Sequence, residues 1–359
     1  MLVLTEQREL EAERPFDNVR VVPRGSRNIL ARLLLRAMRS VAAAPSERLA
    51  RDLQASGFRG ALQEFGADVI LANYGHGGVA VAAVAHSIGV PLVVSFHGAD
   101  ASRRARNPHW QEKYRAMFDV AAAVTGPSDY VCEKLAGLGC PRERIHKLHY
   151  GIRTDRIRFR PRTLDDGQPV RFLFVGRLSA KKDPLTLLRS FARAREELPD
   201  GQAVLTIVGD GPLRQDVADM VRQLRLDDAV ELLGHRTHQQ VIEHYDAAHI
   251  YVQHSVTAPD GDEEGLPVSI TEALAAGLPV ISTRHSGIPE AVRHDENGYL
   301  VTEGDDTAMA RYMVELARDR ERWPRFGRAG RRLLEDEFSM PIVQRQLRGL
   351  LSDVSGKPF

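Results

Sequence analysis

Short apolar runs rich in β-branched residues alternate along this chain with longer stretches of helical periodicity. That alternation restricts the fold more than any other feature. Strands are predicted at Val69–Ala72, Leu92–Phe96 and Ala121–Thr125, then at Val170–Val175, Val204–Val208, Val230–Leu233, Ile250–Gln253, Val280–Ser282 and Tyr299–Val301. An apolar strand followed by an amphipathic helix is the unit of a parallel sheet covered on both faces, so the expected class is α/β with doubly wound, Rossmann-like domains. The 359 residues suit two such domains, since domains usually run to roughly 100–200 residues. Residues 151–169 hold Gly151, Pro161, Gly167 and Pro169 among many charges with little periodicity, which reads as the linker. The predicted division is 1–155, 156–339 and a final amphipathic segment, 340–359, whose helix from Met340 to Val354 is expected to pack back on the first domain.

Charge separates the two halves. Residues 1–160 carry 24 Lys and Arg against 16 Asp and Glu, a balance of +8; subtracting from the totals of 49 and 48 leaves 25 against 32, or −7, for residues 161–359. Arg32, Arg36 and Arg39 share one face of a predicted helix, a pattern that reads equally as a solvated face or as a contact for an anionic membrane. No apolar run reaches the ~18 residues that span a bilayer, and the start, MLVLTEQREL, is acidic where a signal peptide is basic. Cys132 and Cys140 form no metal-spaced or disulfide-like pattern and read as reduced thiols. The expectation is a cytoplasmic protein, or one peripheral on the inner face of the plasma membrane, with no nucleic-acid partner.

In open parallel sheets, ligands collect at the C-terminal ends of strands. Four turns of the second half stand there. Gly176-Arg177-Leu178-Ser179-Ala180-Lys181-Lys182-Asp183-Pro184 places a glycine and cations before a helix start, which suits a phosphate or else a solvent-facing basic turn. Gly209-Asp210-Gly211 allows a close backbone approach, by a ligand or within a tight turn. Glu264 precedes a helix that Pro267 opens, and Glu272 lies within it. Carboxylates so placed can grip sugar and ribose hydroxyls, with the free N–H groups of that helix start between them, or can serve as cap and surface charges. His285-Ser286-Gly287-Ile288-Pro289-Glu290 forms the fourth turn. The acidic run Asp260, Asp262 and Glu263 reads as a solvated loop.

In order, GRLSAKKDP, VGDGPL and EGLPVSITEALAAGLPVISTRHSGIPE resemble retaining glycosyltransferase family 4, whose signature joins an Arg…Lys loop to an E-x7-E motif; Glu264 and Glu272 have that spacing. ADVILANYGHGG, GVPLVVSFHGAD and SDYVCEKLAGLGCPRERIHKLHYGI resemble the acceptor-side domain of the same family, in the branch that builds bacterial exopolysaccharide and lipopolysaccharide. The likeness extends from Ala67 to Val354. It implies two Rossmann-like domains facing across a cleft, the GT-B arrangement, and a hexosyl transfer from a UDP- or GDP-sugar to a glycan or lipid-linked acceptor hydroxyl. No cofactor and no metal are implied. By the same resemblance Arg177 and Lys182, with Gly176 and Gly209 nearby, hold the donor pyrophosphate, and Lys181 is a substitute for Lys182. Glu264 holds the sugar near C3 and C4, the Gly265-Leu266-Pro267-Val268 segment supplies backbone contacts, Glu272 takes the ribose, and His97 lies near the anomeric carbon and the acceptor. Two departures stand out. Asp183 replaces the glycine usual after the lysine, where it either faces the phosphates or caps a helix. MLVLTEQREL resembles the family's second strand, so the first strand, its glycine-rich turn and the next helix are expected to be missing. An inactive sugar-nucleotide-binding relative and a sugar-nucleotide epimerase are the alternatives.

Overall fold

The computed structural model describes residues 57–359 apart from Asp166, together with the short strands β1 (Val3–Thr5) and β2 (Val19–Val21), which pair in parallel. The predicted helix carrying Arg32, Arg36 and Arg39 lies outside the described residues, as does most of the segment on which the missing first strand was inferred.

The first half forms a parallel sheet in the order β3 (Ile70–Asn73), β4 (Leu92–Ser95), β5 (Ala123–Gly126), β6 (Ile145–Lys147). Helices α1 (57–65), α2 (Gly75–Ile88), α3 (Pro108–Val120) and α4 (Asp129–Gly137) accompany it. Asn107 and Ser128 start α3 and α4 by accepting the N–H groups of His109 and Val131, each such cap contributing about 1 kcal/mol.

The second half is a six-stranded parallel sheet of β7 (Val170–Val175), β8 (Ala203–Val208), β9 (Val230–Gly234), β10 (Ile250–Val252), β11 (Val280–Thr283) and β12 (Gly298–Val301). Their spatial order is β12-β11-β10-β7-β8-β9. Between them run α5 (Pro184–Glu197), α6 (Arg214–Gln223), α7 (His238–Ala247), α8 (Val268–Ala276), α9 (Ile288–Ala291), α10 (Asp306–Arg318) and α11 (Arg322–Leu333), and α12 (Met340–Ser355) ends the chain. The near-continuous apolar character of β7 follows from burial on both faces: Phe172 and Phe174 pack with Leu187 and Phe191 on one side, Leu173 with Tyr245 and Ile270 on the other. Each such side chain contributes about 1.5–3 kcal/mol when fully buried. Strand order reverses direction between β7 and β10, and the crevice at such a switch point is where an open parallel sheet receives a ligand.

The chain passes between the halves at Ile152 and again at Ser339, and the passages lie side by side. Ile152 N–H donates to the Phe338 carbonyl (2.8 Å) and Met340 N–H to the Ile152 carbonyl (3.0 Å). The Arg331 guanidinium holds the linker to the second half by donating to the carbonyls of Thr154, Ile157 and Ala275, each at 3.0 Å. Beyond α12, Lys357 pairs with Asp68, just before β3. Among the described residues no helix is long and apolar enough to cross a membrane.

Candidate active site

The switch point brings the end of β7 opposite the loop after β10, segments far apart in sequence. After β7 the chain makes a short 3-10 turn, Ala180–Lys182, and enters α5 at Pro184. Asp183 adopts a left-handed backbone (φ 35°) and its carboxylate accepts the Thr186 N–H at 3.2 Å. Of the two roles open to this residue in the sequence, the geometry shows the helix cap. The left-handed backbone also explains why glycine suits the position. Lys182 turns inward and is buried, while Arg177 is exposed and its side chain makes no hydrogen bond or ion pair among the described residues. Gly209 has φ +142°, and a side chain there would begin 1.9 Å from the Gly176 carbonyl oxygen. The close approach at this turn is therefore made by the neighbouring turn, backbone on backbone.

Glu264 is 8% exposed and its Oε1 lies 3.2 Å from the Lys182 Nζ. The contact lacks hydrogen-bond alignment, so this buried oxygen has no hydrogen-bond partner. A desolvated carboxylate oxygen in that condition is an acceptor awaiting a donor. Its main chain is held firmly. Glu264 N–H donates to His285 Nε2 (3.2 Å), His285 Nδ1 lies 2.6 Å from Glu303 Oε1, and the Ser286 hydroxyl donates to the Glu264 carbonyl at 2.5 Å. Because Nε2 accepts, Nδ1 carries the proton and donates to Glu303. Pro267 occupies the cap position of α8 and offers no side-chain acceptor; its carbonyl takes the Ile270 N–H (3.1 Å), which leaves the N–H groups of Val268 and Ser269 open at the positive end of the helix. Leu266 is buried beneath that turn and Val268 is exposed at its rim.

Glu272, farther along α8, is partly buried and accepts the Tyr245 hydroxyl at 3.1 Å, with His238 Nδ1 3.8 Å from its other oxygen. Burial raises its carboxyl above the usual glutamate value, with His238 and Tyr245 opposing. Neither helper carries a sequence motif. Both lie on α7, seven residues apart and so on one face, a spacing that periodicity alone does not distinguish from ordinary packing.

His97 follows β4 in the first half. Asp100 fixes the turn by accepting the N–H groups of His97 (2.9 Å), Gly98 (3.0 Å) and Gly75 (2.8 Å). The Tyr150 hydroxyl donates to the His97 carbonyl (3.0 Å) and lies 3.1 Å from His97 Nδ1. With that hydroxyl proton engaged, Nδ1–H is the donor to Tyr150, while Nε2 lies 3.4 Å from the Asn73 side-chain amide oxygen. Burial lowers the His97 pKa, Asp100 opposing, and so favours the neutral ring. The Tyr74 ring packs 4.5 Å from it. Gly98 (φ +133°) and Gly265 meet across the cleft: a side chain on Gly98 would begin 2.8 Å from Gly265 N, and one on Gly265 would begin 2.4 Å from the His97 carbonyl oxygen. His97 and Glu264 are thus brought together by two touching turns.

The acidic run departs from its sequence reading as a solvated loop. Glu263 is 6% exposed; it accepts the Tyr130 hydroxyl at 3.0 Å and pairs with Lys134 at 2.5 Å. Asp262 pairs with Lys181 (3.3 Å) and Asp260 with Arg103 (3.1 Å). Lys181 therefore faces the acidic loop, whereas Lys182 faces Glu264. Glu263 and Asp260 are thus paired across the cleft and Asp262 within its own half, and the Asp260–Arg103 pair remains exposed to water. Cys132 and Cys140 are unpaired, and burial pushes their thiols up to about 11 and about 12. Among the described residues no cluster of three or more His, Cys, Asp or Glu side chains is arranged to hold a metal ion.

Comparison with known proteins places this geometry. Residues 155–333 match the family model described as glycosyl transferases group 1, and residues 8–156 match glycosyltransferase family 4. The putative colanic acid biosynthesis glycosyltransferase WcaL of Escherichia coli K12 is 34% identical over 293 residues, 80% of this chain and 71% of the relative. The amylovoran biosynthesis glycosyltransferase AmsK of Erwinia amylovora is 33% identical over 290 residues, 80% of this chain and 70% of the relative. The crystal structure of Anabaena HepE in complex with UDP superposes with a TM-score of 0.75 at 20% identity, covering 93% of this chain and 86% of that one. The lipopolysaccharide outer core galactosyltransferase WaaB, in its apo form, gives a TM-score of 0.69 at 17% identity, covering 96% and 92%. At those identities the two solved structures speak for the fold. The two sheets, the Lys182–Glu264 pair at the switch point and the extended sequence identity together make this chain a member of glycosyltransferase family 4 with the GT-B fold.

Proposed function

We propose that the chain transfers a hexosyl group from a UDP- or GDP-sugar to a hydroxyl of a glycan or lipid-linked acceptor, with retention of anomeric configuration. The observation that carries this reading is Glu264: a buried carboxylate oxygen with an unused acceptor site, held beside a buried lysine and an uncapped helix N-terminus. Glu264 takes the sugar hydroxyls. Arg177, Lys182 and the first turn of α8 stabilise the negative charge that gathers on the leaving nucleoside diphosphate. Glu272 accepts from the ribose, and neutral His97 faces the acceptor side. The names of WcaL and AmsK support a polysaccharide acceptor, and the UDP complex of HepE supports a nucleotide-sugar donor. The basic segment with Arg32, Arg36 and Arg39 is proposed to meet an anionic membrane surface where the acceptor is lipid-linked.

Incubating the protein with a panel of UDP- and GDP-sugars tests the reading. Release of nucleoside diphosphate with an α-linked product from an α-linked donor is expected. Tight binding without release across the panel identifies an inactive sugar-nucleotide binder, and an epimerised donor identifies an epimerase.

A further inference from the structure

Glu263 belongs to the second half of the chain, yet its side chain is gripped by the first. Tyr130 and Lys134, which hold its carboxylate at 3.0 Å and 2.5 Å, stand one turn apart on α4 and present one face to it. Thr257, from its own half, adds a longer contact at 3.5 Å. Burial and the Glu263 charge raise the Tyr130 phenol above its usual range. Burial works against the Lys134 cation, and the adjoining Glu263 carboxylate outweighs it, so that its pKa is raised as well. The main chain of the same loop is tied across the cleft too: Glu263 N–H donates to the Ser102 hydroxyl oxygen (3.2 Å) and the Ser128 hydroxyl to the Gly265 carbonyl (3.3 Å). The next side chain, Glu264, turns towards Lys182 in the second half. Consecutive carboxylates of one loop are thus held by different domains.

We propose that Tyr130 and Lys134 are positioning residues for sugar transfer: by holding Glu263 they set Glu264 against the donor sugar when the two halves meet. The inference rests on the sugar-binding role of Glu264. It makes the acceptor-side domain a control on a carboxylate of the donor site, so that a donor bound to separated halves lacks its sugar contact. Errors of about 1 Å in such placement cost up to about a hundredfold in rate. Nucleotide binding, which relies on Glu272, Lys182 and α8, stays outside this control.

Charge reversal provides the test, with a donor that the parent protein turns over. Lys134→Glu and Glu263→Lys each place like charges together, and the double variant restores an opposite pair. Each single variant is expected to lower kcat by about tenfold or more while nucleoside diphosphate affinity, read by calorimetry, stays within about twofold; the double variant recovers most of the loss. A folded single variant with parental kcat, a nucleotide affinity that falls in step with kcat, or a double variant no better than the singles overturns the proposal. Should the reversals not fold, Lys134→Met and Glu263→Gln give the same comparison: each lowers kcat, and the pair together is no worse than either alone. Additive losses in that pair overturn it. A parent that releases no nucleoside diphosphate from any donor defeats the transferase reading itself, a different result from an active parent with indifferent variants.

Discussion

Glu272 occupies surroundings that resist its charge, and its role depends on keeping that charge. Burial lifts its carboxyl above the ordinary glutamate range, so on acidification it takes up a proton earlier than a free glutamate does. Only the ionised form offers both oxygens to a ribose. Nucleoside diphosphate affinity is therefore expected to fall as pH drops through this raised pKa. Glu272→Gln flattens that part of the profile and weakens binding at neutral pH about tenfold, the loss of one charged hydrogen bond of about 1.5 kcal/mol. A Gln variant with the parental pH profile removes the ribose assignment. Lys182 differs in kind, because its charge matters most while negative charge builds on the departing phosphate. Lys182→Ala is expected to lower kcat by about 10²–10³-fold with a smaller change in donor affinity. Lys181→Ala, whose partner is Asp262, has the smaller effect on kcat. Equal losses in the two variants show that the phosphate contact has been given to the wrong lysine.

At the scale of elements, the site is made by turns packed on turns. The β7 and β8 turns touch through Gly176 and Gly209, with no room for a side chain on Gly209. Gly209→Ala combines a steric clash with a backbone conformation that only glycine adopts easily, so it is expected to cost at least about 1–3 kcal/mol in thermal or denaturant unfolding and to weaken nucleotide binding along with it. Unchanged stability contradicts the turn-on-turn account. The periodic elements were legible beforehand: the predicted strands of both halves correspond to β3 to β5 and β7 to β12, no end differing by more than two residues. β6 was not. Its three residues, Ile145-His146-Lys147, are partly or fully exposed at a sheet edge, and so short and polar a run has no period to detect. Gly209 was legible as a position needing glycine, but what approaches it was not, because the Gly176 carbonyl is brought there by strand pairing.

For the molecule as a whole, the residues that motif spacing could reach are those close together in sequence: Arg177 and Lys182, Glu264 and Glu272. Those that depend on pairing between halves were invisible. Glu263 meets Tyr130 across 133 positions of sequence, and only the folded chain shows that a run of acids is matched by cations opposite. The two passages of the chain between the halves, bonded to each other at Ile152 and Ser339, have a mechanical consequence. One connecting strand permits swivel, twist and tilt alike. Two strands joined side by side act as a door hinge, leaving tilt about their common line as the soft motion and resisting rotation about the long axis. Every contact across the cleft then parts and reforms in the same register, so that the gap between His97 and Glu264 opens along one fixed arc.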